Sequence, residues 1–363
     1  MKNVLVIGGG SWGSCLAKLL VENGSNVYLW EHNEKNREIM KIERKNPIFS
    51  FEFKLPDELK IVDNYCEVLS DEEKYGRIDV ILLATPTQFL RAVLKRLKNC
   101  LIYNIILVNV AKGIEISSKK RISEVVAEEL GDKEYSYVLL AGPTHAEEVA
   151  MKLPSAILAV SRDENSAIQV QKIFSNQYFR VYTGTDLTGA ELGGALKNCL
   201  AIAAGISDGL GFGDNSKAAL ITRGINEIFE ISKYYDVNPK TFMGLSGLGD
   251  IIVTCTSNHS RNRYVGEKLG KGEKIEDIIN ETSKKYKEMD NNDKNEIIID
   301  YKGKMETIFN IFTENVEGYK MIDIIAFNND FKDKYNELDQ RKVEFENKQR
   351  QKEKEKEFEN EFF

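Results

Sequence analysis

Lys197 stands alone among small and apolar residues. The stretch from Leu192 to Ser207 reads LGGALKNCLAIAAGIS, and Lys197 is its only charged residue. A helical lysine usually lays its stem along apolar surface and keeps its ammonium in water. Here the surroundings are small and apolar on all sides, as in a buried helix packed closely on another element. A buried ammonium must find partners or lose its proton. Burial lowers a lysine's pKa, which suits it to general acid–base work.

Two polar clusters farther along are candidates to complete such a site. Ser260-Arg261-Asn262-Arg263 follows a turn-like Ser-Asn-His. Arginine holds phosphate through its fork of donors, and serine and asparagine at a helix start add more. The same four residues also read as a helix cap with a solvated face. Asp250, behind Gly247 and Gly249, reads either as a partner for a lysine or as a plain turn aspartate.

Gly8, Gly10 and Gly13 form G-x-G-x-x-G between an apolar run and a helical pattern. The pattern is weak alone, but strand, loop, helix and second strand follow in the order a dinucleotide site needs. The first glycine permits the tight turn, the second lets backbone approach a pyrophosphate, and the third lets helix and strand pack closely. The helix start offers unpaired N–H groups and partial positive charge. At the end of the next strand, Glu31 suits a ribose 2′-hydroxyl, which favours NAD. His32, Lys35 and Arg37 suit a 2′-phosphate instead, so NAD and NADP both stay open, with the balance toward NAD.

These residues need elements to hold them. Asn3 to Ile7 is a continuous apolar run meeting glycines at once, as a buried parallel strand does. Ser11 to Asn23 has helical spacing. Further strands are expected at Val27 to Trp30, Asp79 to Ala84, Ile105 to Val110, Tyr137 to Ala141 and Ala156 to Val160. Strands alternating with helices predict an α/β, Rossmann-type, mostly parallel sheet, with ligands at the carboxyl ends of the strands. After about Asp186 the pattern becomes helical and rich in Ala and Gly, which predicts an all-α second domain. The short run Gly244 to Asp250 reads as a turn between helices. The expected division is 1–186 for the sheet domain, 187–329 for the helical domain, and 330–363 for a charged tail. A Lys/Asn/Glu-rich stretch at about 282–312 reads as a low-complexity insertion.

Composition narrows the class. The chain has 363 residues, 42% hydrophobic, with a net charge of -7 that argues against a nucleic-acid partner. Five scattered cysteines without a C-x-x-C pair predict neither a zinc site nor a disulfide framework, and fit reduced thiols in the cytoplasm. No metal is expected. No stretch reaches the roughly 20 apolar residues of a membrane span, and the N-terminal apolar run lacks a signal-peptide pattern.

From Val4 to about Gly270 the sequence resembles the NAD(P)-dependent glycerol-3-phosphate dehydrogenases, more the bacterial type than the animal type. The resemblance is carried by GGGSWGSCLA, AKGIE, AGPTHAEEVA, ELGGALKNCLAIAAGISDGLGFGDNSKAALITRG, GLSGLGDIIVTCTSNHSRNR and VEGYK, in that order. It implies reduction of dihydroxyacetone phosphate to sn-glycerol 3-phosphate, feeding glycerophospholipid synthesis, with NADH or NADPH as donor. It implies that Lys197 is the catalytic proton donor and acceptor, and that Lys112 lies between nicotinamide and substrate. Asp250 matches the lysine's partner and Thr254 a nearby polar position. Gly142, Thr144 and Asn198 match substrate contacts, and Ser260, Arg261 and Asn262 the phosphate site, with Arg261 also near the cofactor. Ser11, Trp12, His32, Ala146, Val316 and Glu317 match cofactor contacts. A homodimer is the assembly implied. Roughly 30 extra residues precede Val316, and the family's closing helices are not recognisable after Tyr319. That departure keeps an inactive dinucleotide-binding protein in view. A related beta-hydroxyacid dehydrogenase, which shares the two-domain plan and a catalytic lysine, is the other alternative.

Overall fold

Apolar runs that alternate face by face build the sheet. The computed structural model describes residues 1–281 except 50, 102, 276, 279 and 280. The expected insertion at 282–312 and tail at 330–363 lie outside the described residues. Strand β1 (Asn3–Ile7) is central. Its Val4 and Val6 join one buried layer with Leu29, Leu82 and Val108. Leu5 and Ile7 join the opposite layer with Tyr28, Ile81 and Leu83. A strand buried on both faces has no polar side to show, which is why the run reads as continuously apolar.

The glycine loop leads from β1 into α1 (Ser11–Glu22). There follow β2 (Asn26–Trp30), α2 (Glu34–Ile42), β3 (Lys60–Val62), α3 (Tyr65–Ser70) and α4 (Glu72–Tyr75). The middle of the sheet comes from β4 (Val80–Leu83), α5 (Thr87–Cys100), β5 (Ile105–Asn109), α6 (Ile122–Leu130) and β6 (Tyr135–Ala141). Then α7 (Ala146–Ala150), β7 (Ser155–Val160), α8 (Glu164–Phe174) and β8 (Phe179–Gly184) complete it. The eight strands run in the order β3-β2-β1-β4-β5-β6-β7-β8. Every pairing is parallel except β6 with β7, where Leu140 faces Ala159. This is the mostly parallel sheet that the alternation predicts.

Two strands went unrecognised in the sequence. β3 is only 3 residues long. β8 alternates buried Phe179 and Val181 with exposed Arg180 and Tyr182, the period of an edge strand covered on one face.

Beyond the sheet the described chain is helical. α9 (Leu187–Gly209) is 23 residues long and starts on Asp186, whose side chain accepts from Gly189 N at 2.9 Å. α10 (Gly213–Ser232) and α11 (Pro239–Phe242) follow. The run expected as a turn is instead a π-helical turn, Leu245–Gly249, continuing into α12 (Asp250–Thr256). Its glycines admit the wider turn, and the break from α11 is confined to Met243 and Gly244 just before it. α13 (Arg261–Gly270) packs along α9.

The α9–α13 seam is backbone on backbone. A Cβ on Gly266 would fall 3.1 Å from Gly205 Cα, and one on Gly270 would fall 3.0 Å from Gly209 Cα. Both helices place glycine four residues apart on the facing side, so the axes approach closely. This explains the glycine-rich texture of α9 better than flexibility does.

One expectation about the cysteines is corrected. Cys66 on α3 and Cys100 at the end of α5 are joined in a disulfide, with Cα atoms 5.3 Å apart. Cys15, Cys199 and Cys255 remain as thiols. The pair is 34 residues apart in sequence. Packing of α3 on α5 brings the two together, which spacing alone does not reveal.

Candidate active site

Three segments deliver charge to one point. Lys112 follows β5, Lys197 lies within α9, and Asp250 opens α12. Lys197 Nζ donates to Asp250 Oδ1 at 2.5 Å and to Thr254 Oγ1 at 2.9 Å. Lys112 Nζ donates to the other oxygen, Oδ2, at 2.6 Å, and to the Gly142 carbonyl at 3.1 Å. Lys197, Asp250 and Thr254 are buried. Two ammonium groups around one carboxylate leave one excess positive charge when all three are ionised. Such a point attracts an anionic substrate and an oxygen gaining charge.

Burial and the charge of Lys112 push the Lys197 pKa down to about 7, while Asp250 pulls it upward. Asp250 is buried too, yet Lys112 and Lys197 hold its carboxyl below the usual carboxylate range. The geometry therefore makes Lys197 a group able to give and take a proton near neutral pH.

The local sequence explains the placement. Thr87 Oγ1, in the first turn of α5, donates to the Lys112 carbonyl at 3.0 Å and fixes that segment. Gly113, at φ +133°, turns the chain away just after the lysine. Thr144 N donates to Gly142 O at 2.9 Å, so the Gly142-Pro143-Thr144 loop curls toward Lys112.

The second polar cluster stands at the start of α13. Asn262 Nδ2 donates to Asn198 Oδ1 at 2.7 Å, joining it to the residue after Lys197. Arg261 is exposed and makes no side-chain hydrogen bond to the described residues, so its guanidinium is available to a ligand. Ser260 is buried, and its hydroxyl accepts from Arg263 N at 3.2 Å as the helix cap. The cap reading of the S-R-N-R run holds at Ser260, while Arg261 is exposed beside it and Asn262 is tied to α9. Arg263 binds Asp208 at the end of α9 at 2.7 Å.

The glycine loop fits a dinucleotide's pyrophosphate. Gly8 has φ +116°, and a Cβ there would lie 2.7 Å from the Ala84 carbonyl carbon. A Cβ on Gly10 would meet nothing within 4 Å, so that face is open. No side chain caps α1, which leaves the N–H groups near Ser11 and Trp12 for an anion. Glu31 is buried beside the loop and accepts from Asn33 N at 3.0 Å. A Cβ on Gly9 would be 2.6 Å from Glu31 Oε2, so this carboxylate lies across the loop. His32 is exposed beside Trp30. Arg37, weighed for a 2′-phosphate, is engaged by the Glu31 carbonyl at 2.8 Å and by Asp63 at 2.9 Å. Ala146 opens α7, its carbonyl accepting from Cys15 Sγ at 3.5 Å. Val316 and Glu317 lie outside the described residues.

The sequence reading missed Asn46. Its side chain donates to Gly9 O at 2.9 Å and to Ser14 Oγ at 2.7 Å, fixing the loop from behind. Only folding brings it there, 37 residues on from Gly9. No group of three or more His, Cys, Asp or Glu disposed for a metal ion occurs among the described residues. Among them, no helix is long and apolar enough to cross a membrane.

Family models match both parts of the chain. Residues 3–167 match the model of the NAD-dependent glycerol-3-phosphate dehydrogenase N-terminus, and residues 186–322 match that of its C-terminus. The chain is 46% identical over 280 residues to glycerol-3-phosphate dehydrogenase [NAD(P)+] of Geobacillus kaustophilus, covering 77% of this chain and 80% of that one. It is 44% identical over 283 residues to the protein of that name from Fusobacterium nucleatum, covering 78% and 83%. Among solved structures, glycerol-3-phosphate dehydrogenase of Coxiella burnetii superposes with a TM-score of 0.73 at 31% identity, over 87% of this chain and 95% of that one.

Proposed function

The chain belongs to the NAD-dependent glycerol-3-phosphate dehydrogenases, and from that premise we propose how its own residues divide the work. The protein is an NAD(P)-dependent oxidoreductase acting on the CH–OH group of glycerol 3-phosphate. The ketone on the other side of that reaction is dihydroxyacetone phosphate. The dinucleotide, when bound, supplies the hydride to C2 in reduction and takes it in oxidation.

Arg261 and Asn262 bind the substrate phosphate, with Ser260 holding the helix start in place. Remote binding of this kind fixes the reacting carbon without spending the site's own charge. Lys197 protonates the C2 oxygen in reduction and removes the proton in oxidation. Lys112 polarises that oxygen from the loop side. Asp250 aims both lysines, and Thr254 holds Lys197 from behind. Gly142, Thr144 and Asn198 line the substrate. Gly8, Gly10, Ser11, Trp12 and Gly13 hold the pyrophosphate end, with His32, Ala146, Arg261, Val316 and Glu317 as further cofactor contacts. Glu31 favours NAD, because a 2′-phosphate would meet its carboxylate.

The observation that carries this assignment is the sharing of one buried carboxylate by Lys112 and Lys197. It is tested by steady-state reduction of dihydroxyacetone phosphate, followed at the reduced nicotinamide band. Lys197→Ala is expected to lower kcat on the order of 10²- to 10⁴-fold while NADH still binds. Near-normal turnover in that variant removes Lys197 from the mechanism. Arg261→Ala is expected to raise the substrate KM roughly tenfold to a hundredfold, from lost charged hydrogen bonds. An unchanged KM puts the phosphate elsewhere. NADH binding without any turnover of the unaltered chain would favour a non-catalytic cofactor-binding protein.

The sheet part, 1–186, is read as the cofactor domain and 187–329 as the substrate domain, because the sheet ends at Gly184 and α9 starts at Leu187. A cytoplasmic location suits a dinucleotide and a phosphate ester, neither of which crosses a bilayer unaided. There the product would serve glycerophospholipid synthesis. Net charge weighs against a nucleic-acid partner, and a homodimer is the assembly the family implies.

A further inference from the structure

The buried pair Arg121–Glu191 lies outside the site described so far. Glu191 is on α9, six residues before Lys197, or about 9 Å along the axis. Its side chain is 5% exposed and that of Arg121 is 13% exposed. Arg121 Nη1 donates to Glu191 Oε2 at 2.8 Å, and Ser123 Oγ donates to the same oxygen at 2.6 Å. Oε1 accepts from Ser123 N at 2.8 Å and from Tyr137 OH at 3.4 Å. Arg121 also forms an antiparallel backbone bridge with Ile114, two residues past Lys112. One arginine therefore grips both the segment bearing Lys112 and the helix bearing Lys197.

We propose that Glu191, acting through Arg121, is a positioning residue that sets the spacing of Lys112 and Lys197 around Asp250. A buried ion pair is a poor way to gain stability, since apolar residues of similar volume often do as well or better. What the pair supplies here is geometry. It ties the two lysine-bearing segments at a second point, so that Asp250 is not the only link between them. The inference rests on Lys197 being the proton donor and acceptor.

Burial, Lys112 and Asp250 set the titration of Lys197, and His145 and Cys255 face it closely enough that its charge acts to lower their own pKa values. If α9 slips, Lys197 moves away from Asp250 and loses the influence that raises its pKa. A displacement of about 1 Å can cost on the order of a hundredfold in rate.

The experiment compares kcat for dihydroxyacetone phosphate reduction against pH in the full chain and its variants. The double variant Arg121→Met/Glu191→Met removes both charges together and leaves no buried charge unpaired, so it should fold. Expected are a loss of kcat of roughly tenfold to a hundredfold, a downward shift of the pH midpoint, and unchanged NADH binding. Glu191→Gln keeps an acceptor oxygen for Arg121 Nη1 and Ser123 Oγ but turns an N–H toward Ser123 N, so it should recover part of the rate. A double variant with wild-type kcat overturns the proposal. So does one whose kcat falls with an unmoved pH midpoint, because a merely structural tie would do that. Lys197→Ala is run alongside. If it retains turnover, the proton-transfer reading fails and takes this inference with it. If it is inactive while the double variant behaves as wild type, only the inference fails.

Discussion

Lys197 and Asp250 form an ion pair of 2.5 Å in which the carboxylate is already shared, since Lys112 holds its other oxygen at 2.6 Å. Each lysine depends on an acid that belongs equally to its rival. Their mutual repulsion is part of what keeps Lys197 close to giving up its proton. A lone buried lysine facing a lone aspartate would stay charged over a wider range of pH.

The first prediction concerns pH. The Lys197 pKa is pushed down to about 7, by burial first and Lys112 second. Reduction needs the protonated lysine, so kcat in that direction should fall as pH rises through about 7. Oxidation needs the neutral lysine, so its kcat should rise over the same interval. Lys112→Met removes a like charge and should move the midpoint upward, whereas Asp250→Asn should move it downward. Rate profiles measured in both directions with no break near neutral pH would show that Lys197 does not carry the proton.

Cofactor choice is the second. Glu31→Ser removes the carboxylate lying across the glycine loop. A like-charge clash with a 2′-phosphate costs several kcal/mol, about 2 or more. The ratio of kcat/KM for NADH over NADPH should therefore drop at least roughly tenfold. An unaltered ratio would transfer selectivity to His32 or Lys35.

Helix packing supplies the third. Gly266→Ala forces a Cβ onto the backbone of α9, against the Ile202 carbonyl first and then Gly205 Cα. Overpacking of this kind costs about 1–3 kcal/mol. Thermal unfolding should shift down accordingly, and the substrate KM should rise, since α13 carries Arg261 and Asn262. An alanine tolerated without change in melting or KM would mean that the seam yields easily.

Fourth, denatured and unreduced protein should titrate three thiols, from Cys15, Cys199 and Cys255. After reduction it should titrate five, with Cys66 and Cys100 added. Five before reduction would rule out the disulfide.

Much of this site was legible before folding because the signals are local. A lysine in an otherwise apolar helix, a glycine loop after a buried strand, and an S-R-N-R run each announce themselves within a few residues. What stayed hidden is long-range. Asn46 reaches the Gly9 carbonyl across 37 residues, and Arg121 reaches Glu191 across 70. Neither has a periodicity or a neighbour to mark it. β3 failed for a different reason: at 3 residues it is too short to show a pattern. The π-helical turn was misread because glycines signal turns generally, and only the surrounding packing says that the helix continues.

The glycine seam between α9 and α13 has a metrical consequence. α9 carries Lys197, the proposed proton donor, and α13 begins with Arg261 and Asn262, the proposed phosphate contacts. At Gly205–Gly266 and Gly209–Gly270 there is no side chain to bend, so main chain sets how closely the two helices approach. On the proposed assignment the proton donor and the phosphate contacts keep a fixed separation, so a substrate with one more carbon between carbinol and phosphate should be reduced with lower kcat/KM.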